Sequence, residues 1–157
     1  MKTASIQEIK QELLTLPPKE VLEYCLRLTK YKKENKELLT YLLFEAHDET
    51  GYVENVKKEI EDEFKDVPRA SLYQVKKSLR KILRAIAKYS KQTGSKQAEV
   101  EMLIHFSRTL KQSGIPIHRS TSLTNLYNAQ IKKINGLIAL LHEDLHYDYT
   151  KQVEELV

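Results

Sequence analysis

The feature that most constrains the fold is an apolar side chain at every third or fourth position, repeated along almost the whole chain. The 157 residues include only four Gly and four Pro, and the Val/Ile alternation typical of strands is nearly absent. A spacing of three to four residues marks one face of an α-helix, whereas strict alternation marks a strand. The sequence therefore predicts an all-α fold of about seven helices, in a compact bundle or a short stack of αα-hairpins.

Local signals place several helix ends. Ser5 and Glu8 match a capping box, in which each side chain accepts a hydrogen bond from the other residue's backbone N–H. Pro17 ends the first helix, and Pro18 can be the first residue of the second because its ring fixes a helical φ. Ser71 is a candidate N-cap for a helix that we expect to occupy residues 71–93.

Two segments carry expectations about packing. Residues 38–46 are apolar around most of the helix circumference, which is typical of a helix buried between neighbours. A last helix is predicted from Ser120 to Leu145. Gly136 within it destabilises the helix by about 1 kcal/mol relative to Ala, and close packing against a neighbouring helix would explain a glycine at this position. The predicted core includes Leu13, Leu42, Leu43, Leu79, Ile82, Leu103, Phe106, Ile134, Ile138 and Leu141.

Length and composition predict a single helical domain spanning 1–157. A hydrophobic content of 41% and a charged content of 31% are those of a globular protein rather than a disordered one. Cys25 is the only cysteine, which leaves no disulfide framework and no Cys-based zinc site. There is no apolar signal segment, and the apolar runs are too short for a transmembrane segment. We expect a cytoplasmic protein.

Charge is distributed very unevenly along the chain. Residues 1–66 have a net charge of −4, residues 67–141 have 14 Lys/Arg against two acids for a net of +12, and residues 142–157 have a net of −4. A block this basic has three explanations, which are an anionic partner, pairing with the chain's own acids, or simple solvation.

The helix predicted at 71–93 contains no acidic residue. Like charges four residues apart on a helix repel by a few tenths of a kcal/mol, and neutralisation by phosphates would offset that cost. The alternative is that the acids of the preceding helix pair with these cations or that water solvates them. At 100° per residue, the candidate polyanion-binding side chains that lie nearly in line are Lys77, Arg80, Arg84, Lys88 and Lys91.

One short motif has the form of a metal site. His142-Glu143-x-x-His146 matches H-E-x-x-H, in which two histidines one helical turn apart share a zinc ion and the glutamate activates water. The charged Asp144 between them is unusual for a zinc protease, and no third ligand follows at the required spacing. A metal-dependent hydrolase is therefore the minor alternative, and the motif is interpreted instead as the polar flank of an amphipathic helix.

The opening of the chain carries one resemblance. Apolar residues at Ile6, Ile9, Leu13 and Leu16 precede Pro17, and a Leu-rich helix follows. This pattern resembles small all-helical bacterial proteins of unknown function and is similar to the αα-hairpins of HEAT-like arrays. It covers roughly the first third of the chain. The resemblance implies helical hairpins and assigns no functional residue.

No phosphate-binding loop, dinucleotide fingerprint or nucleophile elbow occurs in the sequence. Cys25 lies on an apolar stripe, which favours a buried, inert thiol. The sequence therefore predicts a non-enzymatic helical interaction module with no cofactor and no resident metal. Its expected partner is another protein, or a nucleic acid or other polyanion held without sequence preference by the helix at 71–93. The sequence does not fix the oligomeric state.

Overall fold

The computed structural model describes all residues from Met1 to Val157, and they form helices without any strand. The predicted all-α class is confirmed. Short 3₁₀ turns occur at Ala46–Asp48 and Ile117–Arg119, and a π-helical turn occurs at Tyr41–Glu45. The α-helices are α1 (Ile6–Thr15), α2 (Pro18–Tyr31), α3 (Lys33–Thr40), α4 (Glu49–Lys65), α5 (Leu72–Thr93), α6 (Lys96–Gln112), α7 (Thr121–Ile138) and α8 (Glu143–Glu154).

The chain divides into two compact units, unit 1 (Met1–Phe44) and unit 2 (Glu45–Val157). The boundary falls within the π-helical turn. The expectation of one domain spanning 1–157 stays a prediction. None of the helices combines the length and the apolar character that crossing a bilayer requires.

Unit 2 is built around α6, which packs against α4, α5 and α7, while α8 packs against α7. Eight residues of α6 are buried, more than in any other helix. Phe106 of α6 meets Phe64 of α4 with ring centroids 5.4 Å apart, and Leu79 of α5 and Ile134 of α7 are also fully buried. The hydrophobic core of the protein lies in this unit.

Unit 1 contains α1, α2 and α3, of which α2 and α3 pack together as a hairpin. None of these three helices contains a buried residue. Among the buried apolar residues of the chain, only Tyr41 precedes Glu45. Unit 1 therefore has no hydrophobic core of its own.

The predicted helix starts are confirmed where a local signal marked them. Ser5 and Glu8 form both hydrogen bonds of the capping box. Pro18 is the first residue of α2, and Ser71 caps α5 by accepting a hydrogen bond from the backbone N–H of Gln74 at 3.2 Å. These ends depend on contacts within one turn, which a sequence pattern records directly.

The predicted last helix is wrong in its extent. α7 ends at Ile138, and a tight turn in which the N–H groups of Leu140 and Leu141 donate to Leu137 and Ile138 separates it from α8. A Cβ added at Gly136 would meet no atom within 4 Å, so no neighbour approaches that residue closely. The predicted close packing at Gly136 is therefore wrong.

The core prediction is correct in unit 2 and wrong in unit 1. The residues predicted for the core from Leu79 to Ile138 are all buried, and Leu141 is partly buried against the same core. In contrast Leu13, Leu42 and Leu43 are exposed, and so is most of the apolar segment 38–46. Periodicity detected the apolar faces of unit 1 correctly, but the three helices of this unit do not bury them.

Candidate nucleic-acid interface

The apolar stripe of α5 fixes which face of the helix points outward. Val75, Leu79, Ile82 and Ile86 are at most 3% exposed. Because α5 is helical from Leu72 to Thr93, the side chains on its opposite side point away from this core. Gly94, with φ of +62°, ends the helix in the left-handed conformation that glycine adopts most easily.

All five predicted polyanion-binding residues lie on that outer face and are exposed. From the first to the last, the row extends about 21 Å at 1.5 Å per residue. That length corresponds to about six nucleotide steps of one DNA strand at about 3.4 Å per step. We call this row, Lys77, Arg80, Arg84, Lys88 and Lys91, the basic face.

Pairing with the acidic helix α4 accounts for little of this charge. Across the α4–α5 groove, Lys81 lies 3.4 Å from Glu63, and the Tyr89 hydroxyl donates to Glu59 at 2.6 Å. Other acids of α4 pair within their own helix, as Asp62 does with Lys65 at 2.8 Å. The ion pairs therefore involve the edge of α5 beside α4 more than its outer face.

Four members of the basic face form no ion pair with a carboxylate. They are Lys77, Arg80, Arg84 and Lys91. Internal compensation, the rival explanation of the basic block, does not apply to these four side chains. They are cations without a counter-charge in the chain.

Several other Lys and Arg side chains of residues 67–141 are bonded within unit 2 and do not extend the basic face. Arg69 donates to the Ser113 carbonyl at 2.7 Å, Lys111 donates to the Glu155 carbonyl at 2.8 Å, and Lys133 pairs with Glu99 at 2.8 Å. Lys76 donates to the Ser122 hydroxyl. These side chains tie the helices of unit 2 together and are not free for a ligand.

At its C-terminal end the basic face meets the start of α6. A shallow cavity of about 320 Å³ there is lined by Lys91, Gly94, Ser95 and Lys96 among others. The first backbone N–H groups of a helix have no partner within the helix and carry a partial positive charge. This end of the basic face therefore places two lysines beside the start of α6, where the Glu99 carboxylate also lines the cavity and Ser95 Oγ already accepts from the N–H of Ala98 at 3.1 Å.

Tyr73 is a residue that the sequence interpretation missed. It lies one turn before Lys77 on the same side of α5, and 75% of its surface is exposed. Tyr127 and Tyr149, in contrast, are buried in the core. The signal that marks Tyr73 is its spacing of four from Lys77, which places it among cations rather than on the apolar stripe. An exposed aromatic ring in this position can stack on a nucleobase.

The structure places the two histidines of the H-E-x-x-H motif in separate local contacts. His142 precedes α8 as its N-cap, and its Nδ1 accepts from the N–H of Asp144 at 3.2 Å. His146 lies within α8, with Nε2 2.8 Å from the Leu141 carbonyl oxygen. A carbonyl only accepts, so this Nε2 carries a proton and cannot ligate a metal. No group of three or more His, Cys, Asp or Glu side chains is placed to hold a metal ion.

A polar cleft of about 420 Å³ brings together side chains of α4, α6 and α8 that no sequence pattern connects. Glu101 accepts from the Tyr149 hydroxyl at 2.8 Å and lies 3.5 Å from Lys57. Gln97 donates to the same hydroxyl at 2.9 Å. Burial, together with the hydrogen bond to Glu101, raises the pKa of Tyr149 to about 12.

His105 also lines this cleft, and burial is the main cause that lowers its pKa. Its Nε2 lies 3.0 Å from Glu61 Oε1 but is poorly aligned for a hydrogen bond. A histidine among carboxylates is the arrangement that would favour an enzyme over an interaction module. No Ser, Thr or Cys lines the cleft, and its one hydroxyl group, that of Tyr149, is hydrogen-bonded to Glu101 and Gln97. Because Glu101 and Tyr149 bond each other, the cleft is best described as a network that joins three helices.

No protein-family model, curated protein or solved structure matches this chain. The resemblance of the first third of the chain to HEAT-like helical hairpins therefore stays a prediction.

Proposed function

We propose that this protein is a helical interaction module that binds nucleic acid, without sequence preference, through the basic face of α5. The observation that carries the proposal is the exposed row of cations, four of which lack any carboxylate partner. Phosphate contacts made by Lys and Arg supply most of the affinity in non-specific binding and carry no sequence information.

Two further features support this choice of partner. Tyr73 places an aromatic ring in line with the cations, which suits the unstacked bases of a single strand better than a paired duplex. The helix is also unsuited to insertion into a membrane surface, because its outer face carries cations and one Tyr in place of a broad apolar side. A cytoplasmic location belongs to the same proposal, in keeping with the single, unpaired Cys25.

The proposal is tested by reversing charge on the basic face. The variant Arg80→Glu/Arg84→Glu should bind a labelled, mixed-sequence single-stranded oligonucleotide at least about tenfold more weakly than the parent chain at low salt, because two phosphate contacts become repulsive. Fluorescence anisotropy measures the affinity, and circular dichroism checks that the helices remain.

A matched control separates the basic face from net charge. Lys132→Glu/Lys151→Glu changes the net charge by the same amount, and both lysines are exposed on helices other than α5. This control should lose no more than about threefold in affinity, which is the effect expected of a change in the overall field alone. Equal losses in the two double variants would reject the basic face as the site.

A further inference from the structure

A groove of about 580 Å³ lies beside α7 in unit 2, and no member of the basic face lines it. It is larger than the polar cleft around Tyr149, which has about 420 Å³. Small-molecule sites typically have about 300 to 1,000 Å³. Side chains of α7, of the 3₁₀ turn Ile117–Arg119, of the end of α6 and of the residues after α8 form its walls. The groove is therefore large enough for a small organic molecule.

The helix α7 presents two neighbouring rows of side chains to the groove. Residues four apart on a helix lie on the same side, so Tyr127 and Ile131 form one row. Thr124, Asn128 and Lys132 form the other, which extends about 12 Å at 1.5 Å per residue. The first row is apolar and is buried or half-buried, whereas the second is polar and ends in a cation. A ligand that fits both rows has an apolar body and a polar head.

Hydrogen bonds hold the opposite wall of the groove in place. The Thr124 hydroxyl donates to the Ile117 carbonyl at 2.8 Å, and the Tyr127 hydroxyl donates to the Leu156 carbonyl at 2.5 Å. Ile117 and Leu156 are themselves buried, so they supply an apolar floor. Because these residues are anchored without a ligand, the groove is formed in advance, and little conformational entropy is lost when a ligand binds.

The charge of the groove selects the sign of the polar head. Its lining includes Lys111 and Lys132 and no Asp or Glu side chain. In contrast, acidic side chains line the other cavities described in unit 2, among them Glu63, Glu101 and Glu99. Lys111 already donates to a backbone carbonyl, but Lys132 is exposed and forms no ion pair. One free cation beside an apolar floor is complementary to a single negative charge on an apolar molecule.

We propose that this groove binds a small monocarboxylate with an apolar chain, the carboxylate beside Lys132 and the chain along Ile131 and Tyr127. A carboxylate accepts a charge-assisted hydrogen bond from an ammonium group, which is stronger than a bond between neutral groups. Asn135 follows Ile131 by one turn and lines the same groove, so its amide is a second donor for the carboxylate. The chain gains free energy by leaving water for the apolar floor. This proposal is independent of nucleic-acid binding.

Isothermal titration calorimetry of the full chain with decanoate tests the proposal. Decanoate should bind saturably, with one molecule per chain and a dissociation constant below about 1 mM. Decyltrimethylammonium has the same chain and the opposite charge, and it should bind at least about tenfold more weakly. Absence of decanoate binding overturns the proposal. Equal affinities for the two ions overturn it as well, because exposed apolar side chains elsewhere would adsorb both alike.

Two variants locate the binding in the groove. Lys132→Glu replaces attraction by repulsion, and Ile131→Gln removes apolar area while it keeps a high helix propensity. Each should raise the dissociation constant of decanoate at least about tenfold.

Matched controls change exposed residues outside the groove. Lys151→Glu alters the charge by the same amount as Lys132→Glu, and Leu140→Gln removes a similar apolar side chain. Each control should change the dissociation constant by no more than about twofold. Circular dichroism checks that every variant keeps its helices. Losses in the controls as large as those in the groove variants, or groove variants that bind like the parent chain, overturn the proposal.

Discussion

At the scale of single residues, His105 has a pKa that the fold changes in a way that can be tested. It lies largely buried on α6, and loss of hydration lowers its pKa below the ordinary value of 6.5. Glu61 of α4 opposes that shift, whereas Lys57 of α4 and Arg108 of α6 add to it. The folded protein therefore holds His105 neutral at neutral pH.

This shift predicts a pH dependence of stability. The pKa of His105 is lower in the folded state than in the unfolded state, so the unfolded chain binds the proton more readily. The contribution of His105 to the free energy of unfolding is therefore fully present above about pH 6.5 and is lost as the pH falls through the folded pKa. In His105→Gln this part of the dependence should disappear. Chemical denaturation at several pH values between about 7 and about 5 measures it. Parallel pH profiles for the parent and the variant would contradict the assignment.

At the scale of elements, α5 carries an electrostatic cost that a binding role explains. Arg84 has Arg80 four residues before it and Lys88 four residues after it, and like charges at this spacing repel by about 0.2 to 0.5 kcal/mol per pair. A helix selected only for stability would place an acid there.

This cost predicts that Arg84→Glu stabilises the free protein while it weakens binding. Two repulsive i,i+4 pairs become attractive, so the free energy of unfolding should rise by about 1 kcal/mol at low salt. The gain should shrink at high salt, where the charges are screened. Urea denaturation at two ionic strengths measures it, with Arg84→Gln as the neutral control. A variant less stable than the parent at low salt would show that Arg84 has a structural role instead.

The helix ends and the contacts between helices differ in how well they could be predicted from the sequence. Helix starts with a capping serine, such as Ser71, were predictable because the cap and its partner lie within one turn. The break between α7 and α8 has no Gly or Pro to mark it, and the turn depends on two carbonyl contacts and on capping by His142. The cleft around Glu101 and Tyr149 joins residues 48 positions apart, which no spacing rule records. The basic face was predictable because five cations on one helix are a local pattern.

At the scale of the whole molecule, the two units differ in what they do with apolar side chains. Unit 2 buries its apolar residues and presents charge, whereas unit 1 leaves its apolar faces exposed. Under the proposed function, the charge that unit 2 presents on α5 contacts nucleic acid.

The most direct test of the proposed function is the salt dependence of binding. The intact chain should bind a mixed-sequence single-stranded oligonucleotide between about 50 mM and about 200 mM salt with a log–log slope near −2.8, which is about −0.7 for each of the four phosphates neutralised by the side chains that lack a carboxylate partner. Oligonucleotides of different sequence should give the same affinity within about threefold, because phosphate contacts do not read bases. Absence of binding at the lowest salt, or an affinity that does not change with salt, would contradict the account.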